Sequence, residues 1–96
     1  MLESRLQEKL LQILLDYGLL ARAIEYRGRR DCPDIVIIDP PTLWLEIKTE
    51  TGTVRKGQRR EHEKMRDRGG HVFVIRTEEE LHALLQRFYP GAKRRH

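Results

Sequence analysis

The run DIVIIDPPTLWLEIKT, residues 34–49, limits what the chain can fold into more than any other segment. Two apolar segments, the first rich in β-branched residues, flank adjacent prolines that cannot serve a strand ladder and so mark a turn. The run reads as an antiparallel hairpin over 34–48. So apolar a hairpin belongs inside a sheet. Yet Asp34 opens its first strand, and Glu46 and Lys48 interrupt its second.

Residues two apart on a strand share a face. Glu46 and Lys48 therefore point one way, and Leu43, Leu45 and Ile47 the other. The turn at 39–42 folds Asp34 back to lie roughly opposite residues 46 and 47. Two carboxylates and an ammonium converge on one patch, where the carboxylates repel each other. A divalent cation removes that repulsion, and Mg²⁺ or Mn²⁺ suits hard carboxylate oxygens. Such an ion activates water and stabilises charge on a phosphoryl oxygen, and Lys48 would add a positive donor beside it. The plainer reading is a solvated strand face carrying an ion pair. Against it, Glu46-Ile47-Lys48 is the sole acid-x-Lys triplet in a chain that is 35% charged.

The remaining segments supply the frame. Leu6, Leu10, Ile13, Leu14 and Tyr17 recur at helical spacing over 3–17, and Gly18 is a helix stop. Residues 21–27 are expected to form an edge strand. A charged helix over 55–68 ends at Gly69-Gly70. It puts Val54, Gln58, His62 and Met65 on one face, so Gln58 points inward. HVFVIR is a short buried strand, and Thr77 with Glu80 opens a last helix with a capping-box pattern. The order α-β-β-β-α-β-α predicts a mixed α/β fold, a central sheet flanked by helices. The β-α-β piece from Leu43 to Arg76 makes its two strands parallel.

At 96 residues the chain is expected to form one domain, 1–96, with residues 93–96 a frayed basic tail. Its first residue is a methionine, as in a whole small protein. Cys32 is the only cysteine, which excludes an internal disulfide and points to a passive thiol in a reducing, cytoplasmic setting. No signal peptide or membrane span fits. His62 and His71 are candidate general bases, but Lys48 already fills that place. His62-Glu63 does not extend to a zinc-binding H-E-x-x-H, because position 66 is arginine.

Pro33-Asp34, eleven further residues and then Glu46-Ile47-Lys48 resemble the PD-(D/E)xK nuclease core. More closely, the chain is similar to the virus-type replication-repair nuclease (VRR-NUC) family. The likeness rests on Glu3 in the first helix, Gly18, the PD hairpin, the ExK triplet, Gln58 and Gly69-Gly70 before HVFVI. It covers roughly residues 3–85. The resemblance implies that Asp34, Glu46 and the backbone carbonyl of Ile47 hold Mg²⁺ or Mn²⁺. It implies that Lys48 orients and activates the hydrolytic water, that Gln58 supports the site or the DNA backbone, and that Glu3 is an added acid. Glu3 continues the stripe of Leu6, Leu10 and Leu14; Glu8 is its rival for that role. It further implies a phage, bacterial or archaeal homodimer that cuts branched DNA, including four-way junctions or flaps, in replication and repair, leaving a 5′-phosphate.

The net charge of +4 fits a nucleic-acid partner. Arg27, Arg29 and Arg30 precede Asp34, and Arg55, Lys56 and Arg59 follow the ExK strand. These are the expected phosphate contacts. The alternatives are a non-catalytic nucleic-acid-binding module and a restriction-type enzyme acting on duplex DNA. Little chain is left for a target-reading element. The apolar faces of the first and last helices are candidate subunit interfaces.

Overall fold

A computed structural model of the chain describes residues 2–95. It contains α1 (Glu3–Asp16), β1 (Ala21–Ala23), β2 (Ile35–Ile37), β3 (Leu43–Ile47), α2 (Lys56–Asp67), β4 (His71–Ile75) and α3 (Glu78–Phe88). The four strands form one sheet in the order β1-β2-β3-β4, antiparallel except for the parallel pair β3 and β4. This is the expected mixed sheet, with the expected parallel crossover through α2.

Alternation along β3 divides the molecule. Leu43, Leu45 and Ile47 are fully buried with Ile35 and Ile37 against Leu6, Leu10, Ile13 and Leu14 of α1 and Leu81, Leu84 and Leu85 of α3. Those two helices therefore cover one face of the sheet. Their apolar stripes, candidates for a subunit interface on sequence, are the core itself. The opposite face carries Val36, Trp44 and Glu46, and α2 lies over it through Gln58 and His62.

Helix ends follow local chemistry. α2 closes with Gly69 in the left-handed region at φ 87°, Gly70 N–H donating to Met65 C=O at 2.8 Å and Gly69 N–H to Arg66 C=O at 2.9 Å. That pair of bonds is a Schellman closure. α1 stops the same way at Gly18, φ 76°. A β-carbon at Gly69 meets no steric obstacle, so only the backbone conformation penalises it. Gly69→Ala is expected to cost about 1 kcal/mol in urea denaturation. Thr77 caps α3 by accepting from Glu80 N–H at 3.1 Å. The returning bond of the capping pattern goes to Arg76 N–H instead of Thr77, at 3.0 Å.

The structure departs from the sequence reading at β1, which spans three residues instead of seven. Ile24 N–H still reaches Asp34 C=O at 2.9 Å, but the chain then turns at Tyr26–Arg29, with Gly28 at φ 65°. No strand can continue through that turn. At the other end, Arg95 N–H donates to Asp16 C=O at 2.5 Å and Arg94 pairs with the Asp16 carboxylate at 3.6 Å. The basic tail thus touches the end of α1 as far as it is described; His96 lies outside the described residues. Among the described residues no helix is long and apolar enough to cross a membrane.

Candidate active site

Register brings the hairpin's charges together. Val36 pairs with Trp44 and Ile35 with Leu45, so Asp34 falls opposite Glu46 on the α2 face. Asp34 N–H donates to Leu45 C=O at 2.9 Å, and its carboxylate Oδ2 accepts Ile47 N–H at 2.7 Å. The side chain, just ahead of β2, therefore caps the last residue of β3. A strand residue sends its N–H and C=O to the same edge, so the Ile47 carbonyl is directed to the Asp34 side.

Glu46 is 1% exposed, the most buried Asp or Glu among the described residues. Gln58 Nε2 donates to its Oε2 at 3.2 Å, and His62 Nε2 shares a hydrogen bond with its Oε1 at 3.1 Å. Gln58 also accepts Arg55 N–H at 2.9 Å through Oε1. One amide thus ties the start of α2 to the acid on β3. Burial pushes the Glu46 carboxyl up to about 9, with Asp34 and Glu3 adding to the rise and Lys48 opposing it. Burial also lowers the His62 imidazole from its ordinary value. Burial thus favours the uncharged form of both groups.

Lys48 follows β3 at the sheet's end. Its N–H bonds to Ile75 C=O at 3.1 Å, and its ammonium, 7% exposed in the residue as a whole, lies 4.0 Å from Glu3 Oε1. The first turn of α1 thus reaches the same patch, and Glu3, itself exposed like Glu8, is the acid of that helix paired with Lys48. The loop after Lys48 is held by the Arg76 guanidinium, which donates to Thr49 C=O at 2.8 Å and to Gly52 C=O. Asp34, Glu46, Lys48, Gln58 and Glu3 are all brought together. His62 joins them, although its sequence setting left it aside. The available signal was its place four residues after Gln58 on the inward face of α2.

The basic residues divide. Arg29 pairs with Glu61 at 2.5 Å and Arg55 with Asp31 at 3.1 Å, while Arg59 donates to Val54 C=O at 3.3 Å. Arg27, Arg30 and Lys56 are exposed and have no ion-pair partner among the described residues. Two of the six expected phosphate contacts thus also tie the loop before Asp34 to α2. The Cys32 thiol is pushed up from its ordinary value, chiefly by burial, so it lacks the activation of a nucleophile.

Among the described residues no three His, Cys, Asp or Glu side chains form a ready-made metal cluster. Two facing carboxylates and an adjacent carbonyl are a smaller donor set. It is nevertheless of the kind that serves Mg²⁺, which usually takes one or two carboxylates and fills its shell with water and substrate phosphate.

No protein-family model matches the sequence, and no curated protein matches it significantly. A solved structure described as a VRR_NUC domain does match, with a TM-score of 0.79 and 32% identity over 91% of this chain and 97% of that one. Identity and overlap of that extent go beyond likeness of fold: the chain belongs to the VRR-NUC family, and its domain is of the nuclease type.

Proposed function

We propose that this domain is a Mg²⁺- or Mn²⁺-dependent endonuclease acting on branched DNA such as four-way junctions or flaps. The observation that carries the reading is the convergence of Asp34, Glu46 and Lys48 at the end of β3, one carboxyl buried and the other half-buried. Asp34, Glu46 and the Ile47 carbonyl would hold the cation. When bound, a divalent cation supplies Lewis-acid stabilisation of a phosphoryl oxygen and acidifies water. The chain's own groups do the rest. Glu46 must give up its proton for the cation, and Gln58 steadies the carboxylate that results. Lys48, fixed between β4 and Glu3, directs a donor at the attacking water or the scissile phosphate. Arg27, Arg30, Lys56 and Arg59 would contact flanking phosphates, and Arg29 and Arg55 could join them by exchanging a carboxylate partner for a phosphate.

One site on so small a domain offers a short DNA footprint, and a two-fold homodimer would set two sites against two strands. Leu20 and Ile38, each 45% exposed and joined by Ile38 N–H to Leu20 C=O at 2.8 Å, are an apolar surface available for it.

The test is incubation of labelled four-way junction, 5′-flap and linear duplex DNA with EDTA, Mg²⁺ or Mn²⁺. Cleavage of the branched substrates in either metal, and none in EDTA, is expected. Binding without cleavage under every metal would overturn the reading in favour of an accessory module. Equal cutting of linear duplex would overturn the branched-DNA preference.

A further inference from the structure

Trp44 shares the α2 face of β3 with Glu46, about 7 Å away along the strand. It is only partly covered by α2. It lines a shallow depression of about 430 Å³ together with Met65, Lys64, Arg68 and Arg29. A second depression of about 320 Å³ continues from it towards the loop before Asp34, lined by Arg30, Arg60 and Gly57. The two share Arg29, Glu61 and Lys64. Positions 57, 61, 64 and 68 form one flank of α2, so the two depressions make a groove along that flank. Five cations and two carboxylates, Asp31 and Glu61, line it. Arg30, Arg60, Lys64 and Arg68 have no ion-pair partner among the described residues.

We propose that this groove binds a single strand of DNA, with Trp44 as the platform for one unstacked base and Lys64, Arg68, Arg30 and Arg60 as its phosphate contacts. A partly exposed indole beside unpaired cations combines the two features that bind single strands: a π-face for any base and a positive track for the backbone. Charge complementarity selects a polyanion, and the aromatic ring at one end selects one that carries bases. Met65 forms an apolar edge to the ring. The inference takes its polymer from the nuclease reading, yet binding here needs neither metal nor hydrolysis.

Trp44 is the only tryptophan, so its emission reports the site directly. The protein is titrated in EDTA with a short oligothymidylate and with an abasic sugar-phosphate oligomer of equal length. Oligothymidylate is expected to quench Trp44 emission to saturation and the abasic oligomer to leave it nearly unchanged. By anisotropy of labelled DNA, Trp44→Leu is expected to bind oligothymidylate roughly ten-fold more weakly, with Trp44→Phe keeping most of the affinity. Lys64→Glu combined with Arg68→Glu should weaken both oligomers alike. Absence of oligothymidylate binding, equal affinity for the two oligomers, or equal affinity of the Leu and Phe variants overturns the proposal. So does emission that shifts with protein concentration alone, which would make this face a contact between copies. A protein that binds in this way but never cuts DNA removes the nuclease reading alone; one that cuts but gives no quenching removes the groove alone.

Discussion

Lys48→Met protein is expected to fold, to bind four-way-junction DNA within a few-fold of the parent chain, and to cut it roughly 10²–10³-fold more slowly. Methionine keeps most of the volume of the lysine stem, so packing is little disturbed. What disappears is the ammonium 4.0 Å from Glu3, beside the Asp34–Glu46 pair. The loss should fall on the chemical step, because a single charge among many cations adds little to phosphate affinity. Single-turnover cleavage and equilibrium binding, measured on the same preparation, separate the two. A folded Lys48→Met protein that cuts at the parental rate would remove Lys48 from the reaction.

Glu46→Gln should raise stability while lowering activity. The folded chain holds the Glu46 proton up to about pH 9, and the unfolded chain releases it near its ordinary 4.5. Through that window the native state binds the extra proton. Stability from this group is thus complete below the unfolded value and falls by about 1.4 kcal/mol per pH unit until the folded value is passed. At pH 7 the accumulated cost is about 3 kcal/mol. Glutamine is uncharged at every pH and can still accept from Gln58 and donate to His62. In EDTA the variant is therefore expected to be more stable at pH 7 by about 2–3 kcal/mol, with a flatter dependence between pH 5 and 9. Its stabilisation by Mn²⁺ should be lost, since a neutral amide is a poor ligand for a hard cation. Urea denaturation at three pH values, with and without Mn²⁺, checks both halves. A variant no more stable than the parent at pH 9 would show that the folded chain does not hold the Glu46 proton above its ordinary range.

Strand alternation and the proline turn place Asp34, Glu46 and Lys48 on one patch from the sequence alone, because those signals are local and the register leaves little freedom. Gln58 was equally legible through the inward face of its helix. His62 shares that inward face, but its partner was not legible: only the docking of α2 on β3 brings Glu46 within 3.1 Å. The pairing of Arg29 with Glu61 and Arg55 with Asp31 was hidden for the same reason. Each joins residues far apart in the chain through the irregular segment between Ile24 and Pro33, where no periodicity specifies the path. The same segment accounts for the shortened β1.

Gln58 gives its oxygen to Arg55 N–H and its nitrogen to Glu46. Fraying of the first helical turn and loss of the amide bond to the acid are consequently one event. A chain caught part-way through folding, with its sheet paired but α2 undocked, would display the carboxylates without the amide that steadies them. If the site works as proposed, its competence therefore depends on α2 being seated on the sheet, and loosening that one helix end would disarm it without disturbing the strands.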